Sequence, residues 1–248
     1  MGNNIMAELK GIEILTIEKN SFVIHPTLIW DEKQTLLIDT GMPGYMEDIN
    51  LAMAKANKSL EDLTGILLTH QDIDHIGSLP EILTACTQHL TIYAHEGDIP
   101  FIEGDIPLLK ANPDNFNEKE WKSLPDSLKF IYLHPPKAKV TASLQNNQLL
   151  DIDGGIEIIH TPGHTPGHIS LFHKRSGTLI AGDALIAANG RLQHPNPVHT
   201  PNMKLAIQSL KKFLAYPYPI KQVVCFHGGM VTENIQEQLE GLVQTKTL

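Results

Sequence analysis

The feature that most constrains this sequence is a dense group of metal-binding side chains directly after a short apolar segment. Residues 65–69 are mainly apolar and are typical of a strand that is buried on both faces. His70, Asp72, Asp74 and His75 follow within six residues. The alternate spacing of the first three lets their side chains converge in a tight turn, and the fourth can then face a second point. Imidazole and carboxylate are the usual ligands of zinc, iron and manganese.

Three more segments with predicted strands lead to a residue of the same kind. The turn at 161–168, rich in Gly and Pro, can present His164 rigidly. Two further apolar segments lead directly to Asp183 and to His227. One His or Asp at the end of a strand is more often structural than a ligand, and a polar loop around His70 would by itself be unremarkable. Four independent segments each lead from a predicted strand to a residue that can bind a metal. This repetition predicts a metal site.

Hydrophobic periodicity and turn residues predict strands and helices along most of the chain. The predicted strands cover residues 12–17, 21–30, 34–38, 65–69, 90–94, 156–160, 168–173, 178–182 and 221–226. The predicted helices cover residues 45–57, 77–88, 202–215, with Asn202 as a candidate N-cap, and 231–242. Residues 183–201 are rich in Gly, Pro and Asn, which predicts a long loop.

Residues 96–136 differ from the rest of the chain. Pro, Asn and Asp dominate, with isolated aromatics such as Phe101, Phe116 and Trp121. The apolar content is too high for a disordered linker, so we predict an insertion with short helices. Two roles remain open: the insertion covers the metal site and forms an apolar pocket with the loop at 183–201, or it is a packing element, for example in a homodimer.

Composition excludes several classes of partner. The chain of 248 residues has a net charge of −9, and its Lys and Arg residues do not cluster beyond pairs, which argues against nucleic acid as a partner. No apolar run approaches the roughly 18 residues of a membrane span, and no signal peptide is evident. Cys86 and Cys225 are far apart and predict buried thiols in a reducing compartment. We therefore expect a cytoplasmic protein with a small-molecule substrate.

The order of these motifs resembles the metallo-β-lactamase superfamily over nearly the whole chain. That family shows HxHxDH, then a His in a TPGHTPGH-like turn, then Gly-Asp, then a final His. The early segment at 37–41, Leu-Ile-Asp-Thr-Gly, also matches. The resemblance implies an α+β protein with an αββα sandwich, one domain over residues 1–248, a helical insertion at about 96–136, and two divalent metal ions at one edge.

The resemblance also implies a ligand set. It assigns His70, Asp72 and His164 to the first metal, Asp74, His75 and His227 to the second, and Asp183 to a bridge between them. Asp39 would lie behind the ligands and orient one of them. Zinc is the metal that the family implies.

Asp72 departs from the family pattern, because the usual residue at this position is a second His. A carboxylate is a harder ligand than imidazole and adds a negative charge, which favours iron or manganese over zinc. The alternative is that Asp72 binds poorly and that the first metal site is weak.

The resemblance implies a metal-dependent hydrolase in which a hydroxide shared by two metals attacks a carbonyl. Asp74 and Asp183 would be the catalytic carboxylates. The expected substrate is a small acyl compound, either a lactone or a thioester. Acyl-homoserine lactonases place a Tyr shortly after the bridging Asp, whereas Asp183 in this chain is followed by Ala184, Leu185 and Ile186. Glyoxalase II-like thioesterases usually carry an additional C-terminal helical domain.

Other functions remain open at this point. They are a β-lactamase or phosphodiesterase of the same fold, and a redox or ligand-sensing module without hydrolysis. His194 and His199 lie in the loop that follows Asp183, where they either contact substrate or are exposed to solvent.

Overall fold

The computed structural model describes residues 11–244, which form two six-stranded sheets and two separate hairpins. The first sheet has the spatial order β1 (Ile12–Ile14), β4 (Thr27–Trp30), β5 (Thr35–Ile38), β6 (Gly65–Leu67), β7 (Thr91–His95) and β8 (Ala142–Leu144). The second has the order β16 (Gly229–Val231), β15 (Gln222–Cys225), β12 (Thr178–Gly182), β11 (Ile169–His173), β10 (Ile156–His160) and β9 (Leu149–Leu150). The hairpins are β2 (Ile17–Lys19) with β3 (Phe22–Ile24), and β13 (Ile186–Ala188) with β14 (Arg191–Gln193).

Helices cover the outer face of each sheet. Those on the first sheet are α1 (Met46–Met53), α2 (Ile73–Ile76) and α3 (Leu79–Ala85). The segment between β7 and β8 contains α4 (Ile99–Ile102), α5 (Glu118–Ser123) and α6 (Asp126–Leu133), which confirms short helices at 96–136. Those on the second sheet are α7 (Met203–Leu214) and α8 (Ile235–Gln244). The layer order is helix, sheet, sheet, helix, as expected for an αββα sandwich.

The apolar core follows from the alternation of side chains along the central strands. In β5, Leu37 packs with the helices of the first sheet, whereas Leu36 and Ile38 pack between the two sheets. In β15, Val223 packs with α7 and α8, whereas Val224 packs between the sheets. Both faces of these strands are therefore buried, which explains why their sequences are apolar throughout.

Strand direction places the polar segments of the sequence at one edge of the sandwich. β5, β6 and β7 run parallel, so their carboxyl ends lie side by side. β12 and β15 are also parallel. β11 runs antiparallel to both β10 and β12, so the turn between β10 and β11 lies beside the end of β12.

The predicted loop at 183–201 was wrong, because it contains the hairpin of β13 and β14. Asn189 and Gly190 form its turn with φ angles of 52° and 72°. A two-residue turn with both φ angles positive matches the twist of the paired strands, and Asn-Gly is the pair that adopts it most readily. This dipeptide was the decisive signal in a region whose strands carry few large apolar residues.

The last predicted helix, at 231–242, also began too early. Gly228 and Gly229 have φ angles of 93° and 83°, which lets the chain reverse after β15. Gly229 then pairs with Cys225, and β16 forms before α8 begins at Ile235.

Two smaller predictions have different outcomes. Asn202 is confirmed as the N-cap of α7, since its side chain accepts a hydrogen bond from the backbone N–H of Leu205 at 3.0 Å. Both thiols are free, but Cys225 is buried and Cys86 is only partly so.

Within residues 11–244, every helix falls short of the length and apolar character of a membrane span.

Candidate metal centre

The residues predicted as metal ligands converge at the edge where the parallel strands end. They reach it from four segments: His70, Asp72, Asp74 and His75 after β6, His164 in the turn between β10 and β11, Asp183 after β12, and His227 after β15. Their donor atoms form two groups, in each of which all atoms lie within 4.8 Å of one another.

The first donor group contains His70, Asp72, His164 and Asp183. Asp72 Oδ2 lies 3.3 Å from His70 Nε2 and 3.0 Å from His164 Nε2. His164 Nε2 in turn lies 3.3 Å from Asp183 Oδ2. Asp72 therefore faces the two imidazoles, as a ligand would, and not the solvent around a loop.

The second donor group contains Asp74, His75 and His227. Asp74 Oδ2 lies 3.1 Å from His227 Nε2 and 3.8 Å from His75 Nε2. Asp183 also reaches this group, since its Oδ1 lies 3.3 Å from His75 Nε2 and its Oδ2 lies 3.5 Å from His227 Nε2. Asp183 thus contacts both donor groups, in the place that the sequence predicts for a bridging carboxylate.

Three buried atoms at the centre indicate that the donor set fits a metal. His70 Nε2, His75 Nε2 and Asp183 Oδ1 have no hydrogen-bond partner among the described residues. Leaving a buried polar atom unsatisfied costs about 1–3 kcal/mol, so three such atoms at one point call for a partner from outside the chain. A divalent cation that accepts nitrogen and carboxylate ligands would satisfy all three.

The electrostatics of the site also favour a cation. Burial lowers the pKa of His227, but Asp183 and Asp74 more than reverse this and raise it to about 10. Burial likewise opposes the charge on His75, yet Asp39, Asp183 and Asp74 hold its pKa well above the usual value. Both shifts report a strong negative potential, which a metal ion would also experience.

Asp39 and Thr69 orient two of the imidazoles. Asp39 accepts hydrogen bonds from the Thr69 backbone N–H and hydroxyl, both at 2.8 Å, and from His75 Nδ1 at 2.9 Å. Because the Thr69 hydroxyl donates to Asp39, it accepts from His70 Nδ1 at 3.0 Å. Both imidazoles therefore carry a proton on Nδ1 and direct Nε2 towards the donor groups. Asp39 lies behind the ligands, where the sequence predicts it.

Two residues that the sequence analysis did not single out, Asp98 and Gln71, tie the ligand loops together. The buried Asp98 carboxylate accepts hydrogen bonds from the backbone and side chain of Gln71 at 3.0 and 3.2 Å. It also accepts from the Thr165 hydroxyl at 2.6 Å and from the Gly167 N–H at 2.7 Å. Asp98 follows the end of β7, so the rule that found Asp183 and His227 could also have found it.

Lys110, from the segment between β7 and β8, is a third residue that the sequence analysis did not single out. Its Nζ lies against Asp72 Oδ2 and 2.7 Å from His164 Nε2. No motif marks this lysine in the sequence, because its contacts are set by how the segment folds back over the site.

A cavity of about 470 Å³ opens onto both donor groups. Its lining includes Asp72, Asp74, His164, Asp183 and His227, together with Phe22, Met42, Ile73, Leu108, Lys110, Ala111, Leu128, Tyr132, Ile186, Asn196 and His199. Segment 96–136 supplies part of its wall, in agreement with the covering role. A larger, open hollow of about 730 Å³ beside Trp30, Asp153 and Arg175 contains none of the predicted ligands.

The two loop histidines have different surroundings. His199 lines the cavity. His194 instead places Nε2 2.8 Å from the carbonyl oxygen of Leu242 in α8, and it does not belong to the cavity lining. The prediction that His194 contacts substrate therefore finds no support in its position, because the β13–β14 hairpin carries it towards α8.

Comparison with known proteins decides the family. The family model of the metallo-beta-lactamase superfamily matches residues 21–227. The chain belongs to the metallo-beta-lactamase superfamily. Among curated relatives of this superfamily member, the probable metallo-hydrolase YflN of Bacillus subtilis is 31% identical over 224 residues, or 82% of this chain and 79% of that protein.

Two further comparisons concern activity and fold. The hydroxyacylglutathione hydrolase GloC of Haemophilus influenzae is 29% identical over 188 residues, or 75% of this chain and 77% of that protein. The crystal structure of a metallo-beta-lactamase family protein from Thermus thermophilus has a TM-score of 0.73 at 21% identity and covers 95% of this chain and 79% of that one. Superfamily membership and these relatives confirm the expected class of enzyme, a metal-dependent hydrolase.

Proposed function

We propose that this protein is a two-metal hydrolase that cleaves small acyl thioesters. The observation that carries the proposal is the contact of Asp183 with both donor groups at one end of a mainly apolar cavity. One carboxylate shared between two ligand sets, beside a space for an acyl chain, suits the hydrolysis of a carbonyl compound.

His70, Asp72 and His164 would hold one divalent metal ion, and Asp74, His75 and His227 the other, with Asp183 shared between them. Such ions, when bound, polarise a carbonyl group and lower the pKa of water, so that water becomes a nucleophile at neutral pH. Zinc is the proposed metal, and iron or manganese is the alternative because of the hard carboxylate ligand at Asp72.

The cavity side chains have separate tasks. Asp74 is partly exposed to the cavity, where its carboxylate orients the attacking water and accepts a proton from it. The apolar walls from Met42, Leu108, Leu128 and Ile186 bind the acyl chain and exclude bulk water.

The preference for a thioester comes from one relative, and the cavity lining concerns which part of the thioester is recognised. The relative named hydroxyacylglutathione hydrolase acts on a thioester by its name, and its similarity spans 75% of this chain. Among residues 11–244, the cavity lining includes one lysine, Lys110, which is paired with Asp72, and no arginine. We therefore propose that the enzyme selects its substrate by the acyl group, because the lining offers few cations for the carboxylates of a thiol carrier such as glutathione.

A lactone is the second candidate, favoured by Tyr132. This residue lines the cavity from α6, although the residues directly after Asp183 include no tyrosine. Burial and the nearby Asp72 both raise the pKa of Tyr132. Its hydroxyl therefore stays protonated at neutral pH and can donate a hydrogen bond to the carbonyl oxygen of a lactone or a thioester.

A substrate panel tests the proposal. Metal-free protein is loaded anaerobically with zinc, manganese or iron and assayed with acyl thioesters of increasing chain length, lactones, a chromogenic β-lactam and a phosphodiester. We expect the highest kcat/KM for a thioester, loss of activity on chelation, and recovery on reloading. A protein with two bound metals that turns over none of the acyl substrates, or prefers the phosphodiester, would contradict the proposal.

A further inference from the structure

Lys110 binds two atoms that the first donor group would offer to a metal. Its Nζ contacts Asp72 Oδ2 directly and lies 2.7 Å from His164 Nε2. The second donor group differs, since the ion pairs of Asp74 among residues 11–244 are with His75 and His227. Among residues 11–244, the ion pairs therefore place a lysine at the first donor group and histidines at the second.

The position of Lys110 is fixed by its neighbours in the chain. The preceding residue, Leu109, donates its backbone N–H to Gln71 Oε1 at 2.8 Å, and its carbonyl oxygen accepts from Asn115 at 2.8 Å. Gln71 is fully buried and is itself held by Asp98. A buried polar network thus connects the lysine to the ligand loop, so its placement does not depend on a flexible side chain alone.

Asp72 and Lys110 form a matched pair of opposite charges. The family pattern places a neutral histidine at position 72, which would give an ammonium group no partner of opposite charge. Asp72 adds one negative charge to the first donor group. Lys110 places its positively charged Nζ against Oδ2 of the same carboxylate. The lysine therefore accompanies the departure from the family pattern.

We propose that Lys110 is an internal competitor for the metal at the first donor group, so that removal of its charge strengthens metal binding at that group. A metal that takes Asp72 Oδ2 and His164 Nε2 must displace the ammonium group and then tolerate a positive charge nearby. This inference rests on the proposed two-metal function, because it concerns how tightly the same ligands bind their metal.

Zinc titration of metal-free protein tests the competition by Lys110. Wild type, Lys110→Met and Lys110→Gln are titrated against a chromophoric chelator, with Lys110→Arg as a variant that keeps the charge. Lys119→Met is a matched control, because it removes a positive charge from an exposed position in the same segment. Crystals prepared with one equivalent of zinc show by anomalous diffraction which group is filled.

Both neutral variants at position 110 should bind zinc at the first group roughly tenfold more tightly than wild type, or better, equal to about 1.4 kcal/mol. Lys110→Arg and Lys119→Met should resemble wild type. Unchanged zinc affinity of the first group in both neutral variants would overturn the inference. If two zinc ions still bind, the two-metal function survives that result; if no protein binds zinc, both fail.

Discussion

His168 Nε2 accepts a hydrogen bond from the backbone N–H of Asp183 at 3.0 Å. The imidazole is fully buried, and burial together with the neighbouring His70 holds its pKa well below the usual value, so it is a neutral acceptor. Its Nδ1 lies 2.8 Å from the hydroxyl of Thr161 and donates to it. A Cβ atom at Gly182 would come within 2.8 Å of His168 Nε2, so the glycine allows this close approach. His168 thus positions the carboxylate that contacts both donor groups.

Replacing His168 with Leu should weaken both the fold and the metal site. The buried N–H of Asp183 would lose its acceptor, at a cost of about 1–3 kcal/mol in the free energy of unfolding. His168→Gln, which can still accept a hydrogen bond through its amide oxygen, should lose less. Urea denaturation and zinc stoichiometry measure the two effects. Wild-type values for the Leu variant would mean that this hydrogen bond does not support Asp183.

The set of candidate ligands was predictable from sequence because it is local to strand ends. Four of its members lie within His70 to His75. The other three, His164, Asp183 and His227, each lie at or shortly after the end of a predicted strand, directly after a glycine or a phenylalanine. The topology then brings the segments together, because parallel strands end at one edge. Residue type and position were sufficient to propose the donors, although they did not give the distances between them.

The supporting residues were not predictable in the same way. Asp98 contacts Gln71 and Thr165, which are 27 and 67 positions away, and Lys110 contacts His164 across 54 positions. Such contacts depend on how the segment between β7 and β8 packs, and no periodicity reports that. The β13–β14 hairpin is a different case, because the Asn-Gly pair that forms its turn is visible in the sequence and predicts a hairpin.

Asp183→Asn should abolish hydrolysis and leave the fold intact. The variant keeps the size of the side chain but removes the charge shared by the two donor groups. Activity should fall roughly a hundredfold or more, since metal-ion catalysis contributes several kcal/mol and each 1.36 kcal/mol is tenfold in rate. Steady-state kinetics and circular dichroism check the two parts. A folded variant with full activity would remove Asp183 from the reaction.

Tyr132→Phe should lower kcat more than it changes KM. The Tyr132 ring stacks on Phe116 with ring centroids 5.6 Å apart, and a phenylalanine can keep that contact while losing the hydroxyl. Loss of a hydrogen bond made to the developing oxyanion typically costs about a hundredfold in kcat. Kinetics with a thioester and a lactone measure the effect on each. An equal rise in KM with unchanged kcat would indicate that the hydroxyl contributes only to binding.

Asp31→Asn should destabilise the protein at neutral pH but not in acid. Burial raises the pKa of Asp31, but hydrogen bonds from the backbone N–H groups of Lys33, Asp153 and Gln34 lower it overall. A native pKa below the unfolded one stabilises the fold above the unfolded pKa, and this contribution disappears as pH falls through the native pKa.

The difference in unfolding free energy between wild type and Asp31→Asn should be roughly 0.5–1.5 kcal/mol at pH 7 and should close as the pH is lowered. Urea denaturation at a series of pH values measures it. Glu32→Gln, which changes an exposed neighbour in the same way, is the control and should follow wild type throughout. A constant difference at every pH would show that the charge of Asp31 is not what stabilises this turn.

Substitutions of Asp72 should change the choice of metal. Asp72→His restores the family pattern, and imidazole favours zinc over manganese relative to a carboxylate, so the zinc-to-manganese affinity ratio should rise roughly tenfold, or about 1.4 kcal/mol. Because Asp72→His leaves Lys110 without its carboxylate partner, the full gain should appear only in the double variant with Lys110→Met. Asp72→Asn keeps the size and removes the charge, so it should weaken the first metal and leave the second nearly intact. Competitive titration of the four proteins measures these ratios. The same zinc-to-manganese preference in all four would mean that Asp72 does not bind the metal, and the first donor group would then consist of His70, His164 and Asp183 alone.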